Sequence, residues 1–309
     1  KDVHRYLREA TRKQKKNIFQ IKEWYPEKVE TEWLLEGVFP LHRQTLIIAK
    51  EKTGKTSFLL QMMRSIQDAE HEYLGNKLID KPIQIYIVGS DQPKSDWSDF
   101  LEKLGFSIEG VGTPNSVIRF LSTMEDGAVM DDESIAELKE MIEADLPSGA
   151  EGVLLLDSLD ATIRAMGIKE KDAEISDPFR KLMAAFGDMN ITQLIVHHEF
   201  KNAPENVDAF EALRGHTSIG AVVSGAIRME KVNKQDINSD VSMTVTSRCS
   251  PQRRLLFSRK DFEFQYLGEG ADVVEARIVK QKEESLTEEH TLALSRLRVN
   301  TSKEQGTTV

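Results

Sequence analysis

Gly54-Lys55-Thr56 follows an apolar run, Thr45-Leu-Ile-Ile-Ala49, and a short polar stretch, Lys50-Glu-Lys-Thr53. A strand end, a loop and a helix start in that order are what phosphate binding needs. Loop amides turn toward phosphate oxygens, and the helix N-terminus adds the positive end of its dipole. In this frame Ala49, Lys52, Thr53, Gly54, Lys55, Thr56 and Ser57 surround the phosphates, with Lys55 reaching the terminal ones and Thr56 holding Mg2+. The usual pattern has glycine where Ala49 stands, so the first turn must form without glycine's conformational freedom. A bare Gly-Lys-Thr arises easily by chance, and context decides. Leu46, Ile47 and Ile48 supply a buried strand, and Phe58, Leu59, Met62, Met63 and Ile66 follow at helical spacing.

Two further strand-like runs end in acids. Pro82-Ile-Gln-Ile-Tyr-Ile-Val88 leads into Gly89-Ser90-Asp91-Gln92-Pro93, and Gly152-Val-Leu-Leu-Leu156 leads into Asp157-Ser-Leu-Asp160. The carboxyl ends of parallel strands line the ligand crevice, so Asp91 would orient or deprotonate an attacking water. Ser-Asp-x-Pro is equally good turn chemistry, which is the structural alternative. Asp157 would hold Mg2+, directly or through water, together with Thr56, while Asp160 is the weaker candidate. A fourth run, Ile191-Thr-Gln-Leu-Ile-Val196, ends in His197-His198. Adjacent strand residues face opposite sides, so the pair is a poor chelate; one of the two contacts the γ-phosphate or else is a core histidine.

The elements that must position these groups alternate between strand and helix. Helices are expected at 95–104, 132–146 and 175–189, a strand at 117–121, and 219–226 as a helix or helical turn. Segments 161–175 and 199–218 read as loops; the second, long and carrying Lys201 and Arg214, has the length of a functional loop. Residues 226–232, 241–247, 254–257 and 262–267 read as strands of an antiparallel extension. Its cluster of Arg248, Arg253, Arg254, Arg259 and Lys260 has a solvated edge face as its plain explanation. Residues 33–40 lead into the first core strand, and the charged C-terminal stretch holds a helix at 286–297 before a polar tail from 300.

The 309 residues suffice for one large α/β domain or two smaller ones. One cysteine, Cys249, excludes an intrachain disulfide and points to a reducing, intracellular setting; no run is long enough to span a membrane. Net charge is −10, so any nucleic-acid surface must be local. The first 22 residues are the basic exception and form an arm that contacts nucleic acid, packs on a neighbouring subunit or is merely solvated. The chain opens on Lys1-Asp2-Val3 and not on methionine, as a piece of something longer would.

Taken in order, the segments resemble RecA-type P-loop ATPases, most closely the RepA-like hexameric branch. The marks are Ala49-Lys-Glu-Lys-Thr-Gly-Lys-Thr56, Tyr86-Ile-Val-Gly-Ser-Asp91-Gln-Pro93, Leu154-Leu-Leu-Asp157, Val196-His-His-Glu-Phe-Lys201 and Leu213-Arg-Gly-His-Thr-Ser218. The resemblance implies a RecA-like α/β core over 36–270, mostly parallel with an antiparallel C-terminal extension, between a basic helical arm (1–35) and a charged helix and tail (271–309). It further implies ATP with Mg2+ as ligands and a hexameric ring around single-stranded DNA. Lys55, Asp91, Asp157 and His198 would be catalytic, His198 sensing the γ-phosphate, and Lys201 and Arg214 would touch DNA. One of Arg248, Arg253 and Arg254 would act as an arginine finger on the neighbouring subunit's ATP. Asp91 stands where the family has glutamate, one methylene shorter, which favours slow turnover. The implied activity is helicase-like, in replication or repair of DNA, with other replication or mobile-element proteins as partners. A recombinase-like or loader ATPase, or a nucleotide-binding scaffold, are the alternatives.

Overall fold

The structure is a computed structural model that describes residues 30–89, 92–106, 117–122, 131–159, 167, 173–199, 209–212, 217–234, 236 and 238–304. The chain divides into two compact units, Lys1–Thr31 and Glu32–Val309. Nearly all of the basic arm, together with Asp91, Asp160, Lys201 and Arg214, lies outside the described residues.

A lead-in hairpin of β1 (Trp33–Leu35) and β2 (Phe39–Pro40) precedes β3 (Gln44–Ala49), whose six residues are all buried. Helix α1 (Lys55–Gln67) follows, then a small hairpin of β4 (Glu72–Tyr73) and β5 (Asn76–Lys77). Strand β6 (Ile83–Gly89), helix α2 (Lys94–Lys103), β7 (Ile118–Ser122), α3 (Asp132–Asp145) and β8 (Glu151–Asp157) continue the alternation. A 3-10 turn at Ala173–Ser176 opens α4 (Asp177–Phe186), and β9 (Ile191–His198) comes next. Short helices α5 (Ala209–Ala212) and α6 (Thr217–Val222) precede four strands, β10 (Gly225–Lys231), β11 (Val241–Ser247), β12 (Arg253–Lys260) and β13 (Glu263–Glu269), and a last helix, α7 (Ala271–Glu304).

Among the described residues nine strands form one sheet in the order β13-β12-β11-β10-β3-β9-β8-β6-β7. Strand β3 sits between β9 and β10 and is parallel to both. The antiparallel extension therefore begins at β11, one strand later than the hydrophobic pattern from residue 226 implies. Periodicity reports that a strand is buried but not its direction; the crossover that brings β10 beside β3 is the 199–224 stretch.

Side chains alternate across this sheet, as a pleated backbone requires. Ile47, Ala49, Val153, Leu155, Leu194, Val196, Ile227 and Met229 face α1 and α2, where Phe58, Leu59, Met62, Met63, Trp97 and Leu101 meet them. Leu46, Ile48, Leu154, Leu156, Ile195 and Ala226 face α3, α4 and α6 on the other side. The result is a three-layer α/β sandwich.

Two expectations shift. Residues 175–189 form a 3-10 turn and a ten-residue helix, with Pro178 in its first turn. The C-terminal helix runs from Ala271 to Glu304 and not only over 286–297, because no glycine or proline interrupts 34 helix-permissive residues. Val274 is buried and Arg277 pairs with Asp240, fixing its first turns to the sheet.

Candidate functional site

Sheet register sets the site. Ala49 pairs with His198, and Gly89 pairs with Asp157, so the carboxyl ends of β3, β9, β8 and β6 form one row. Asp157 falls two residues after Leu155, and His198 two after Val196, so both face the α1 side of the sheet. His197 faces the opposite side and is 2% exposed. The alternation thus selects His198, and not its neighbour, as the histidine beside the phosphate loop.

The loop itself is held from within. Thr53 Oγ1 donates to the Lys50 carbonyl at 2.8 Å. The two left-handed residues are Lys52 (φ 57°) and Gly54 (φ 98°), whereas Ala49 continues the strand and is fully buried. The tight turning occurs three residues after Ala49, so the missing first glycine costs nothing at that position. Gly54 caps α1 without a side-chain bond, and the first turn holds Lys55, Thr56 and Ser57 with no acid, leaving the positive helix end for an anion. Lys55, 6% exposed, folds back so that Nζ donates to the carbonyls of Ala49 (3.0 Å) and Lys50 (3.2 Å). Thr56 Oγ1 donates to Asp157 Oδ2 at 2.5 Å, across 101 residues of sequence. A hydroxyl and a carboxylate joined at a helix N-terminus are hard oxygen donors of the kind Mg2+ takes.

Beside the loop lies a cavity of about 270 Å3, lined in part by Lys50, Thr53, Glu199, Arg228, Glu230 and Lys234. Arg228, 1% exposed, donates through Nε to Glu199 Oε1 at 3.0 Å and pairs with Glu230 Oε1 at 2.9 Å. Burial pushes the Glu230 carboxyl above its ordinary range, against the pull of Arg228. Sequence reasoning missed this cluster. The available signal was an arginine at the centre of the apolar Ala226-Ile-Arg-Met229, where only a paired charge can be buried.

The C-terminal hairpin also reaches the loop. Arg259 on β12 donates from Nη1 to the Lys52 carbonyl (2.7 Å) and from Nε to the Asp261 carbonyl (3.1 Å). A Cβ on Gly54 would come within 2.8 Å of Phe264 Cζ, from β13. Arg259 therefore does not belong to a solvated edge face. Of the other basic residues, Arg253 makes a two-pronged pair with Glu269 (2.6 and 2.8 Å), and Arg248 donates to the Gly220 and Ala221 carbonyls, each at 3.1 Å. Arg254 lies close enough to Glu230 to favour its ionised form.

The family model described as an AAA domain (AAA_25) matches residues 20–204. No curated protein matches the chain. Two solved structures are similar to it. One, "ATPase Domain of G40P", has a TM-score of 0.56 at 13% identity, over 74% of this chain and 85% of the other. The second is a KaiC-like protein from the archaeon Pyrococcus horikoshii OT3, with a TM-score of 0.53 at 16% identity, over 78% of this chain and 98% of the other. Identities this low speak for the fold alone.

Proposed function

Because the chain belongs to the AAA domain family, as a RecA-type P-loop ATPase, we propose that it is a ring-forming, helicase-like motor that hydrolyses ATP on single-stranded DNA. The observation that carries the reading is the Thr56–Asp157 contact of 2.5 Å, which joins the phosphate loop to the acid at the end of β8. Thr56 and Asp157 would hold Mg2+, and the chemistry it would supply is charge neutralisation at the terminal phosphates. Lys55 exchanges its two carbonyl partners for phosphate oxygens. Asp91, following the end of β6, orients the attacking water, and His198 donates a hydrogen bond to the γ-phosphate.

Lys201 and Arg214, in the segments that follow β9, contact the DNA backbone, which concentrates positive charge locally on an acidic protein. A neighbouring subunit supplies the arginine finger. Arg248 suits that task better than Arg253, because backbone carbonyls give up a guanidinium more readily than a bidentate carboxylate does.

The test is ATP hydrolysis with and without single-stranded DNA, followed by strand displacement on a forked duplex. Stimulated hydrolysis with displacement is expected. Hydrolysis without displacement would move the reading to a loader or recombinase-like ATPase, and absence of both hydrolysis and DNA binding at low salt would end it. Arg214→Ala should weaken DNA binding and leave basal hydrolysis mostly intact; equal loss of both would remove Arg214 from its assigned role.

A further inference from the structure

Three cations, Lys52, Lys231 and Arg259, converge on the outer turn of the phosphate loop. They come from three different places in the chain: the loop, the end of β10 and the end of β12. Among the described residues none of the three has a carboxylate within ion-pair distance. Lys231 donates to a backbone carbonyl, that of Asp236 (3.1 Å), and Arg259 to the carbonyls of Lys52 and Asp261. Burial, followed by the fields of Arg259 and Lys52, makes the Lys231 ammonium more acidic than usual, and burial does the same to the Arg259 guanidinium. Like charges gathered in this way repel, and partial burial strengthens the repulsion. An anion at the loop relieves it.

Arg259 is the member best built to meet that anion. Its Nε and Cζ lie 3.2 and 3.4 Å from where a Cβ of Gly54 would stand, so the guanidinium is already against the residue that begins α1. Its hydrogen bonds use Nε and Nη1, which leaves the Nη2 edge of the fork for a phosphate. Phe264 packs on Gly54, and Gln61 of α1 donates to the Phe262 carbonyl, so the hairpin tip that carries Arg259 is seated on the helix and not swinging in solvent.

We infer that Arg259 is a phosphate ligand supplied in cis: the C-terminal hairpin brings its guanidinium to the bound nucleotide's polyphosphate, beside the helix N-terminus and Lys55. This rests on the nucleotide reading above. It adds to it that the chain completes its own polyphosphate site, and that a neighbouring subunit is needed for turnover and not for binding.

The experiment is competition against a fluorescent ADP by unlabelled ADP and by inorganic tripolyphosphate, on the full chain without DNA. A charge-assisted hydrogen bond is typically worth enough to change affinity by about ten- to a hundredfold. Arg259→Gln keeps an N–H where Nε stands, facing the Asp261 carbonyl, but removes the charge and the outer guanidinium nitrogens, and should weaken ADP and tripolyphosphate alike by about tenfold or more. Arg259→Lys should lose less, and Lys260→Ala, at the exposed end of the same strand, should bind as wild type. The nucleotide-free melting temperature of Arg259→Gln should match wild type. Wild-type affinity for both competitors in Arg259→Gln would overturn the inference, as would a loss fully explained by a lowered nucleotide-free melt. Failure of the wild-type protein to bind any of the probes would instead strike the nucleotide reading itself.

Discussion

Lys55 and Asp157 make different demands on the same small volume. Lys55 is held by two carbonyls of its own loop, so truncating it should leave the fold intact and remove only what the ammonium does for the phosphates. Lys55→Ala is expected to lower ATP turnover by at least about 10²-fold, as loss of a charge-stabilising donor commonly does, with an unchanged melting temperature as the check. Asp157→Asn keeps an acceptor for Thr56 but loses the charge that Mg2+ requires. Nucleotide binding without magnesium should persist, while turnover does not recover at raised magnesium. A third residue, remote from the loop, ties stability to pH. Burial alone would push Glu151 up, but bonds from Lys81 (2.8 Å) and His42 (2.6 Å) outweigh it and hold the carboxyl below its usual range. The stabilisation is present above the unfolded value, about 4.3 for a glutamate, and is lost as pH falls through the lowered folded value. In urea melts Glu151→Gln should be less stable than wild type at pH 7, and the difference should shrink in acid below about pH 4.

Strands carry the site, and most of them were legible from periodicity. Ile191–His198 and Val241–Ser247 coincide with their apolar runs, and the acid after Leu154-Leu-Leu156 falls at a strand end as the pattern requires. Contacts between elements were not legible, because nothing local in Arg259 or Phe264 says that a hairpin some two hundred residues after the phosphate loop folds against it. The β4–β5 hairpin was missed for a different reason: its strands are two residues long, although Leu74 and Gly75 at positive φ mark the turn chemistry. Phe58 is the joint among these pieces, with ring centroids of Tyr73, Phe257 and Phe264 at 5.5, 5.8 and 5.7 Å. Phe58→Ala should cost about 3–5 kcal/mol in a denaturant titration, the usual range for an emptied aromatic core site. The buried Arg228 cluster gives an asymmetric pair of expectations. Glu199→Gln leaves Arg228 short of its closest carboxylate and should destabilise on the order of 3 kcal/mol. Glu230, raised by burial, contributes stability below its unfolded value and loses it as pH rises through the raised one, so Glu230→Gln should be neutral or stabilising at pH 7.5.

At the scale of the whole molecule, the family assignment and the fold were readable in the sequence, whereas assembly is a matter for measurement. Among the described residues no helix is long and apolar enough to cross a membrane. Mass measurement with a nonhydrolysable ATP analogue should give a discrete ring near six subunits, and a monomer under those conditions would count against an arginine finger in trans. The order of the sheet has one more consequence, which concerns how the protein is made. Gln44 of β3 hydrogen-bonds Gln193, 149 residues further on, and the partners of β3 on its other side come later still. During synthesis β3, whose six residues are all buried in the finished sheet, must therefore wait unpaired until β9 and then β10 leave the ribosome. Folding should thus be slow for a chain of this size, with its pace set by closure of the longest loops. For as long as it waits, the strand that leads into the phosphate loop is also the one most exposed to capture by chaperones or by other unfinished chains.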